Sequence, residues 1–199
     1  MDMGRLLVTL VLVVLASPLT MAGKDDTDSA YASAEFIRAS CRDTRYADVC
    51  FHSLSRYAGS VRHNQRSLAR AALAVSLAKA RSVQTFVSAV AKTKGLKGLE
   101  CQAVKDCVET VNDSVERLGQ SIGELARTDP TAGGDFTFHV SNIQTWVSAA
   151  LTDEDTCLEG FSAQHGRLKA AIRGRIVDMA QVTSVGLALV NHFAGRQVP

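Results

Sequence analysis

The histidine, acidic and cysteine side chains are the residues of this sequence that could act in acid–base, metal or nucleophilic chemistry. No two histidines stand at helical spacing, and neither an HExxH nor a CxxC motif occurs. The acidic run Asp153–Asp155 lacks the spaced oxygen ligands and the turn glycine of a calcium-binding loop. We therefore expect no metal site and no cofactor. The histidines are His52, His63, His139, His165 and His192.

Nucleophilic catalysis is not indicated either. The sequence contains no glycine-rich phosphate loop and no G-x-S-x-G elbow. Cys101 could act as a nucleophile with a histidine, but an unpaired thiol on a helix is the simpler interpretation. The formal net charge of +2, without a Lys/Arg-rich run interleaved with aromatics, argues against nucleic-acid binding. We predict a protein that works by binding another protein and is not an enzyme.

The N-terminal stretch has the composition of a secretory signal peptide. Arg5 precedes the apolar run Leu6–Leu15, and small residues follow up to Ala22. The run is shorter than the roughly 20 apolar residues that span a bilayer. We therefore expect residues 1–22 to be a signal peptide, the mature chain to be secreted, and no membrane association after cleavage. Secretion exposes the cysteines to an oxidising compartment in which disulfides form.

Four long segments of the mature chain have the pattern of amphipathic helices. In the second segment, apolar residues recur at alternating steps of four and three from Val104 to Leu125, as in bundle helices. The third repeats this pattern, with Glu154 as its one polar break. Glycine and proline turns separate the segments. The segments run over about 64–92, 99–125, 135–160 and 168–193.

This arrangement predicts an all-α fold, because no stretch shows the alternation of a strand. Helices of similar length with short connections favour an antiparallel, up-down-up-down four-helix bundle. We assign the bundle to residues 64–199 and a short N-terminal helical hairpin extension to residues 23–63.

The five cysteines restrict how these helices are joined. Cys41 and Cys50 lie around a helix break and suit a local bridge. In a hairpin of the second and third segments, Cys107 and Cys157 lie almost equally far from the connecting turn, whereas Cys101 misses Cys157 by about one helical turn. We therefore pair Cys107 with Cys157 and leave Cys101 as a free thiol that could link two chains. A shifted turn would instead allow Cys101–Cys157, and this alternative stays open.

Three stretches resemble the family of plant invertase and pectin methylesterase inhibitors. FIRASCRDTRYADVCFHSLSRYA resembles the C-x-x-T-x-Y-x-x-x-C signature at the start of these proteins. AVKDCVETVNDSVERLGQSI resembles their second bundle helix, and VSNIQTWVSAALTDEDTCLEGF resembles the third. The resemblance covers nearly all of the mature chain in the right order. The matching positions are Cys41, Thr44, Tyr46, Cys50, Asp106, Cys107, Trp146, Ser148, Ala149, Ala150, Leu151, Thr152, Thr156 and Cys157.

The resemblance implies a four-helix bundle with disulfides Cys41–Cys50 and Cys107–Cys157. It also implies a secreted inhibitor that docks across the substrate cleft of a cell-wall enzyme through its second, third and fourth bundle helices. The Pro-Lys-Phe step of many invertase inhibitors is absent from residues 129–134, and TWVSAALTDEDTC is more similar to the methylesterase branch. We therefore expect the partner to be pectin methylesterase, with invertase as the alternative. Because the chain ends after the fourth helix, we expect a stand-alone inhibitor.

Two rows of polar residues beside the apolar seams are candidates for the docking face. Together they would form a polar strip with acids on one side and small hydroxyls on the other, although a merely solvated helix face would look the same. Small residues permit close approach, and acids could enter a cleft built for an anionic polysaccharide. The rows are Glu109, Asp113 and Glu116 on the second helix and Thr145, Ser148 and Thr152 on the third.

Asn112-Asp113-Ser114 is a glycosylation sequon, but its mid-helix position makes Asn112 less accessible than a loop asparagine would be. Two other interpretations of the whole chain remain. A helical bundle could carry a small apolar ligand, although the tight Val, Ala and Leu seams leave little room for a cavity. A structural wall protein is the other alternative, but the chain lacks the Pro-rich or Gly-rich repeats common in such proteins.

Overall fold

The computed structural model describes residues 24–128, 134–163 and 165–195. Within these ranges all regular structure is helical, and the predicted signal peptide lies outside them. In chain order the elements are α1 (Lys24–Arg42), α2 (Ala47–Leu54), a 3-10 turn (Ser55–Tyr57), α3 (Ala58–Val61), α4 (Gln65–Ala91), α5 (Gly98–Arg127), α6 (Gly134–Gly160) and α7 (Arg167–Gly195).

The last four helices form an antiparallel bundle. Helix α4 packs on α5 and α7, and α6 packs on the same two neighbours, so the chain runs up and down around one core. This confirms the predicted fold class, and the four helices begin and end within a few residues of the predicted segments. The seam along α5 divides into two sets. Val104, Val111, Leu118 and Leu125, seven residues apart, are fully buried, whereas Val108, Val115 and Ile122 are half-buried at its edge.

Local signals mark both ends of α4. Asn64 caps its first turn, because its side-chain oxygen accepts a hydrogen bond from the backbone N–H of Ser67 at 2.8 Å. After its last residue the chain turns through Gly95 and Gly98, whose φ angles are +111° and +54°. These left-handed conformations favour glycine, which lacks a Cβ. The glycines therefore suit the six-residue connection, at Gly95, and the first residue of α5, at Gly98.

Helices α1 to α3 cover one side of the bundle and are not a separate body. Ile37 and Leu54 of this extension share a second buried cluster with Leu68 of α4 and with Val185 and Leu189 of α7. The extension therefore closes the α4–α7 side of the bundle. Helix α1, with 19 residues, is the longest element of the extension.

The Cys-x-x-Thr step ends α1. Cys41 and Cys50 form a disulfide with a Cα–Cα distance of 5.6 Å. Between them, the buried Thr44 donates from both its backbone N–H and its hydroxyl to the carbonyl oxygen of Cys41, at 3.0 and 2.8 Å. The threonine thus satisfies a carbonyl that the end of the helix leaves without a partner four residues later.

Gly186 of α7 lies directly against Ser76 and Leu73 of α4. A Cβ added there would lie 3.1 Å from the Ser76 hydroxyl and 3.5 Å from Leu73 Cδ2. The same hydroxyl lies 3.1 Å from the Val182 carbonyl of α7. By contrast, Gly174 on the same helix is exposed and has open space around it. Glycine at position 186 therefore permits the contact between the two helices.

Helix α7 is also the one described helix that is long and apolar enough to pass a test for membrane spans. The sequence analysis did not single it out. Half of the apolar stretch is buried inside the protein, because Ile172, Ile176 and Met179 pack in the bundle core. Its apolar character is that of a core helix.

Candidate functional site

The surface shared by α5 and α6 carries the predicted docking residues, and three links hold the two helices together. Cys107 and Cys157 form the first, a buried disulfide with a Cα–Cα distance of 4.4 Å. Cys101 stands in the first turns of α5, half-buried and unpaired. A dimer linked through Cys101 stays a prediction.

The second link is an ion pair in the middle of the surface. Arg117 Nε of α5 lies 2.8 Å from Asp153 Oδ2 of α6. The pKa of Asp153 is raised above its ordinary value, chiefly because the carboxyl group is partly buried. The hydrogen bond and the charge of Arg117 lower this pKa, but by less than burial raises it, and the charge of Asp113 raises it further. Asp113 is therefore close enough to act electrostatically on this pair. The sequence analysis missed both members, which lie just off the apolar seams.

The six predicted docking residues are all exposed, but they point in different directions. Asp113 is four residues from Arg117 and so shares the face of α5 that borders α6. Glu116 is four residues from Asn112, whose Oδ1 accepts from Gln84 Nε2 of α4 at 2.9 Å. It therefore lies toward the α4 side. Glu109 stands between these two directions, four residues before Asp113.

The hydroxyl row on α6 divides in the same way. Thr145 and Thr152 are seven residues apart, about two helical turns, so they lie on the same outward face of α6. Ser148 is four residues after Gln144, whose amide donates to Asn191 of α7 at 2.8 Å. It therefore lies toward α7. The Thr152 hydroxyl donates to the carbonyl oxygen of Ser148 at 3.3 Å. Asp113 borders the shared surface, Thr145 and Thr152 lie together at its edge, and the Arg117–Asp153 pair lies between the two rows.

The third link is a buried carboxylate near the end of α5, which no sequence signal identified. Glu124 accepts hydrogen bonds from His139 Nδ1 at 2.8 Å and Asn142 Nδ2 at 2.9 Å on α6, and from Arg127 on its own helix. Burial alone would raise the pKa of Glu124, but these three donors and the charge of Arg127 outweigh it and lower the pKa to about 2. Glu124 is therefore a carboxylate that ties the end of α5 to the first turns of α6.

A second buried carboxyl group lies deeper, at the one polar break in the α6 seam. Glu154 is fully buried, and its Oε1 lies 3.1 Å from the Ser114 hydroxyl of α5 and 2.8 Å from the Thr183 hydroxyl of α7. Its Oε2 is buried without a hydrogen-bond partner. Burial raises the pKa of Glu154 to about 8, and the charges of Asp155 and Asp153 add to this increase. The hydrogen bonds from the two hydroxyls lower the pKa, but by less. Glu154 is therefore a neutral acid near pH 7 and below.

The predicted glycosylation sequon lies in the same region. Asn112 is exposed, but Ser114, two residues later, is buried with its hydroxyl directed at Glu154. Glycosylation of Asn112 stays a prediction. Among the described residues, no group of three His, Cys, Asp or Glu side chains could hold a metal ion.

The sequence model described as plant invertase/pectin methylesterase inhibitor matches residues 35–189. The chain belongs to this family. The match begins in α1 and ends in α7, so it includes the N-terminal extension and all four bundle helices.

Curated relatives of this family member match along nearly its whole length. It is 48% identical to pectinesterase inhibitor 9 of Arabidopsis thaliana over 95% of both chains. It is 45% identical to the 21 kDa protein of Daucus carota, over 84% of this chain and 88% of that one. A crystal structure of a mutant pectin methylesterase inhibitor from Arabidopsis has the same fold, with a TM-score of 0.62 and 18% identity over 76% of this chain and 92% of that one.

Proposed function

We infer that this chain is a protein inhibitor of pectin methylesterase and not itself an enzyme. The observation that carries this inference is its near full-length similarity, at 48% identity, to a protein named as a pectinesterase inhibitor. Inhibition of invertase, the alternative, is less favoured because the curated relatives that name a target enzyme name pectinesterase. A carrier of apolar ligands is also less favoured, because large side chains such as Ile143, Ile176 and Phe193 fill the bundle core.

The α5–α6 surface is the docking face that we propose. The Cys107–Cys157 disulfide, the Arg117–Asp153 pair and the Glu124 cluster link the two helices near one end, in the middle and near the other end. A surface held in this way loses little conformational freedom on binding, which favours affinity.

The charge of the two helices supports the same face. Apart from the buried Glu124 and Glu154, helices α5 and α6 contain nine acidic residues and three basic ones. A negatively charged face complements a cleft that binds an anionic polysaccharide. Asp113, Thr145 and Thr152 would contact the enzyme, with Glu109, Glu116 and Ser148 toward the edges of the interface.

The same proposal includes the place where the inhibitor acts. The N-terminal stretch has the composition of a signal peptide, and two disulfides suit an oxidising compartment. We therefore propose that the mature chain is secreted and acts in the cell wall.

Enzyme assays test the proposed activity. The oxidised mature protein is mixed with a plant pectin methylesterase and, separately, with a cell-wall invertase, and product release is followed. We expect loss of methylesterase activity and unchanged invertase activity. Loss of invertase activity alone would move the chain to the other branch of the family, and no effect on either enzyme would reject inhibition.

Matched variants test the docking face. Thr152→Arg places a bulky charge on the exposed surface of α6, and Thr85→Arg places the same charge on the exposed surface of α4. Both threonines are exposed, and each hydroxyl donates to the carbonyl four residues earlier. We expect Thr152→Arg and Asp113→Lys to weaken inhibition about tenfold or more, the cost of disrupting an interface anchor. Thr85→Arg should inhibit as well as the wild type. Equal inhibition by all three variants would place the docking face elsewhere.

A further inference from the structure

The basic residues of the bundle are separated from its acidic ones. Helices α4 and α7, which are neighbours, contain eight basic residues and one acidic residue. No acid occurs between Asp48 and Glu100, a stretch that includes all of α4. The acidic helices α5 and α6 offset this positive charge, which gives the formal net charge of +2. The molecule nevertheless has a basic side and an acidic side.

Six exposed bases of this side collect at one end of the bundle. Lys79 bonds to Asp178, and the Arg175 guanidinium lies 4.1 Å from the centroid of the Phe86 ring, so α4 and α7 run antiparallel in this register. Continued for about two turns, the register brings the end of α4 level with the first turn of α7. The connection between α4 and α5 is at the same end. We call this set the basic end: Lys92, Lys94, Lys97, Arg167, Arg173 and Arg175.

Few acids neutralise the basic end. None of its six side chains forms an ion pair with an acid of the described residues. The nearby acids in sequence are Glu100, in the first turn of α5, Glu159, in the last turn of α6, and Asp178, which pairs with Lys79. Bases gathered in this way without partners raise the local positive potential and attract anions.

We propose that the basic end binds de-esterified pectin, a linear polyuronate with free carboxylates. This rests on the proposed function, because hydrolysis of a methyl ester on a sugar acid leaves a carboxylate, so the enzyme that is inhibited generates this polyanion. The basic end lies outside the α5–α6 docking face, on the connection before α5 and on α7. The inhibitor can therefore hold the enzyme with one surface and stay on the demethylated polymer with the other.

A polyuronate fits this end better than a nucleic acid does. Proteins that bind single-stranded nucleic acids combine a basic groove with aromatic side chains on which the bases stack. The described residues of the basic end include no exposed Phe, Tyr or Trp, and the Arg175 guanidinium already covers the Phe86 ring. The basic end would therefore bind a ligand through positive charge alone, and an acidic polysaccharide suits such a surface.

Retention on immobilised polygalacturonate tests the proposal, with highly methyl-esterified pectin and double-stranded DNA as comparison columns. We expect the oxidised mature protein to be retained on polygalacturonate at low ionic strength, to elute with salt, and to pass through esterified pectin. Lys92→Gln/Lys94→Gln/Lys97→Gln should lower the affinity about tenfold or more, since several exposed charge contacts are lost together. Arg167→Gln/Arg173→Gln tests the same end without altering the α4–α5 connection.

The matched control is Arg42→Gln/Arg45→Gln/Arg56→Gln, which removes three exposed charges from the N-terminal extension at the other end. It should stay bound as the wild type does. A wild-type protein that is not retained, equal losses in the control and basic-end triple variants, or equally tight binding to DNA would each overturn the proposal. Retention is measured without enzyme. A chain that binds polygalacturonate but inhibits no methylesterase would reject the proposed function and not the binding site.

Discussion

Two buried glutamates on neighbouring helices show how differently one residue type behaves in one bundle. Glu124, near the end of α5, faces three nitrogen donors, and one of them carries a guanidinium charge. Glu154, in the last third of α6, faces two neutral hydroxyls and two acids nearby in sequence. Burial disfavours the charged form of both. Only at Glu124 do the donors outweigh burial, so one glutamate is a carboxylate and the other a neutral acid.

The difference has opposite consequences for stability. The folded pKa of Glu124, about 2, lies below its ordinary value of 4.5, so its contribution is complete above pH 4.5 and disappears as the pH falls toward 2. The folded pKa of Glu154, about 8, lies above 4.5, so the native state binds the extra proton and stability falls as the pH rises from 4.5 to 8. The bundle should therefore be most stable in mild acid.

The largest expected effect is at Glu154. One pKa unit corresponds to about 1.4 kcal/mol, so this group should lower the free energy of unfolding by up to about 4 kcal/mol between pH 5 and pH 9. Glu154→Gln keeps the shape and cannot ionise, so it should remove this loss and exceed the wild type in stability at pH 9. Urea unfolding of the oxidised protein across this range measures it.

The exposed Glu109→Gln is the control for Glu154→Gln and should keep the wild-type pH dependence. A pH dependence of Glu154→Gln equal to that of the wild type would mean that Glu154 ionises in the folded bundle as it does in water. The comparison of the two buried glutamates would then fail.

Glu124→Gln should have the opposite pH dependence. Near pH 6 the loss of the carboxylate should lower the free energy of unfolding by about 3 kcal/mol, because the three donors then face a neutral group. The difference from the wild type should shrink toward pH 2, where Glu124 is itself protonated. Acid titration of thermal unfolding measures this, and Asp135→Asn, an exposed acid at the start of α6, should change little. A difference between Glu124→Gln and wild type that persists at pH 2 would indicate a packing effect.

The smallest expected effects come from removing one hydrogen-bond donor from each buried glutamate. Asn142→Ala removes a hydrogen bond to a carboxylate and should cost about 2 kcal/mol, whereas Ser114→Ala removes one to a neutral acid and should cost about 1 kcal/mol. Urea unfolding at pH 6 gives both values. Equal costs would indicate the same charge on the two glutamates at that pH.

Local sequence patterns were sufficient to predict the helices but not to predict which residues share the proposed docking face. The four-three repeat from Val104 to Leu125 placed α5 because a helix turns by a constant angle per residue, which makes its buried face visible in the sequence. The docking residues were chosen by the same spacing. It ignores where the neighbouring helices stand, and so it did not separate Glu116, toward α4, from Asp113, toward α6.

The sequence by itself determined the helices, the turns between them and a polar break at Glu154, because each depends on residues close in the chain. The tertiary structure decided the charge of that glutamate, since Ser114 and Thr183 come from two other helices. It likewise assembled the Glu124 cluster from two helices and brought Ser76 of α4 close to Gly186 of α7. These properties arise between helices, and spacing along a single helix carries no information about the atoms that the neighbouring helices present.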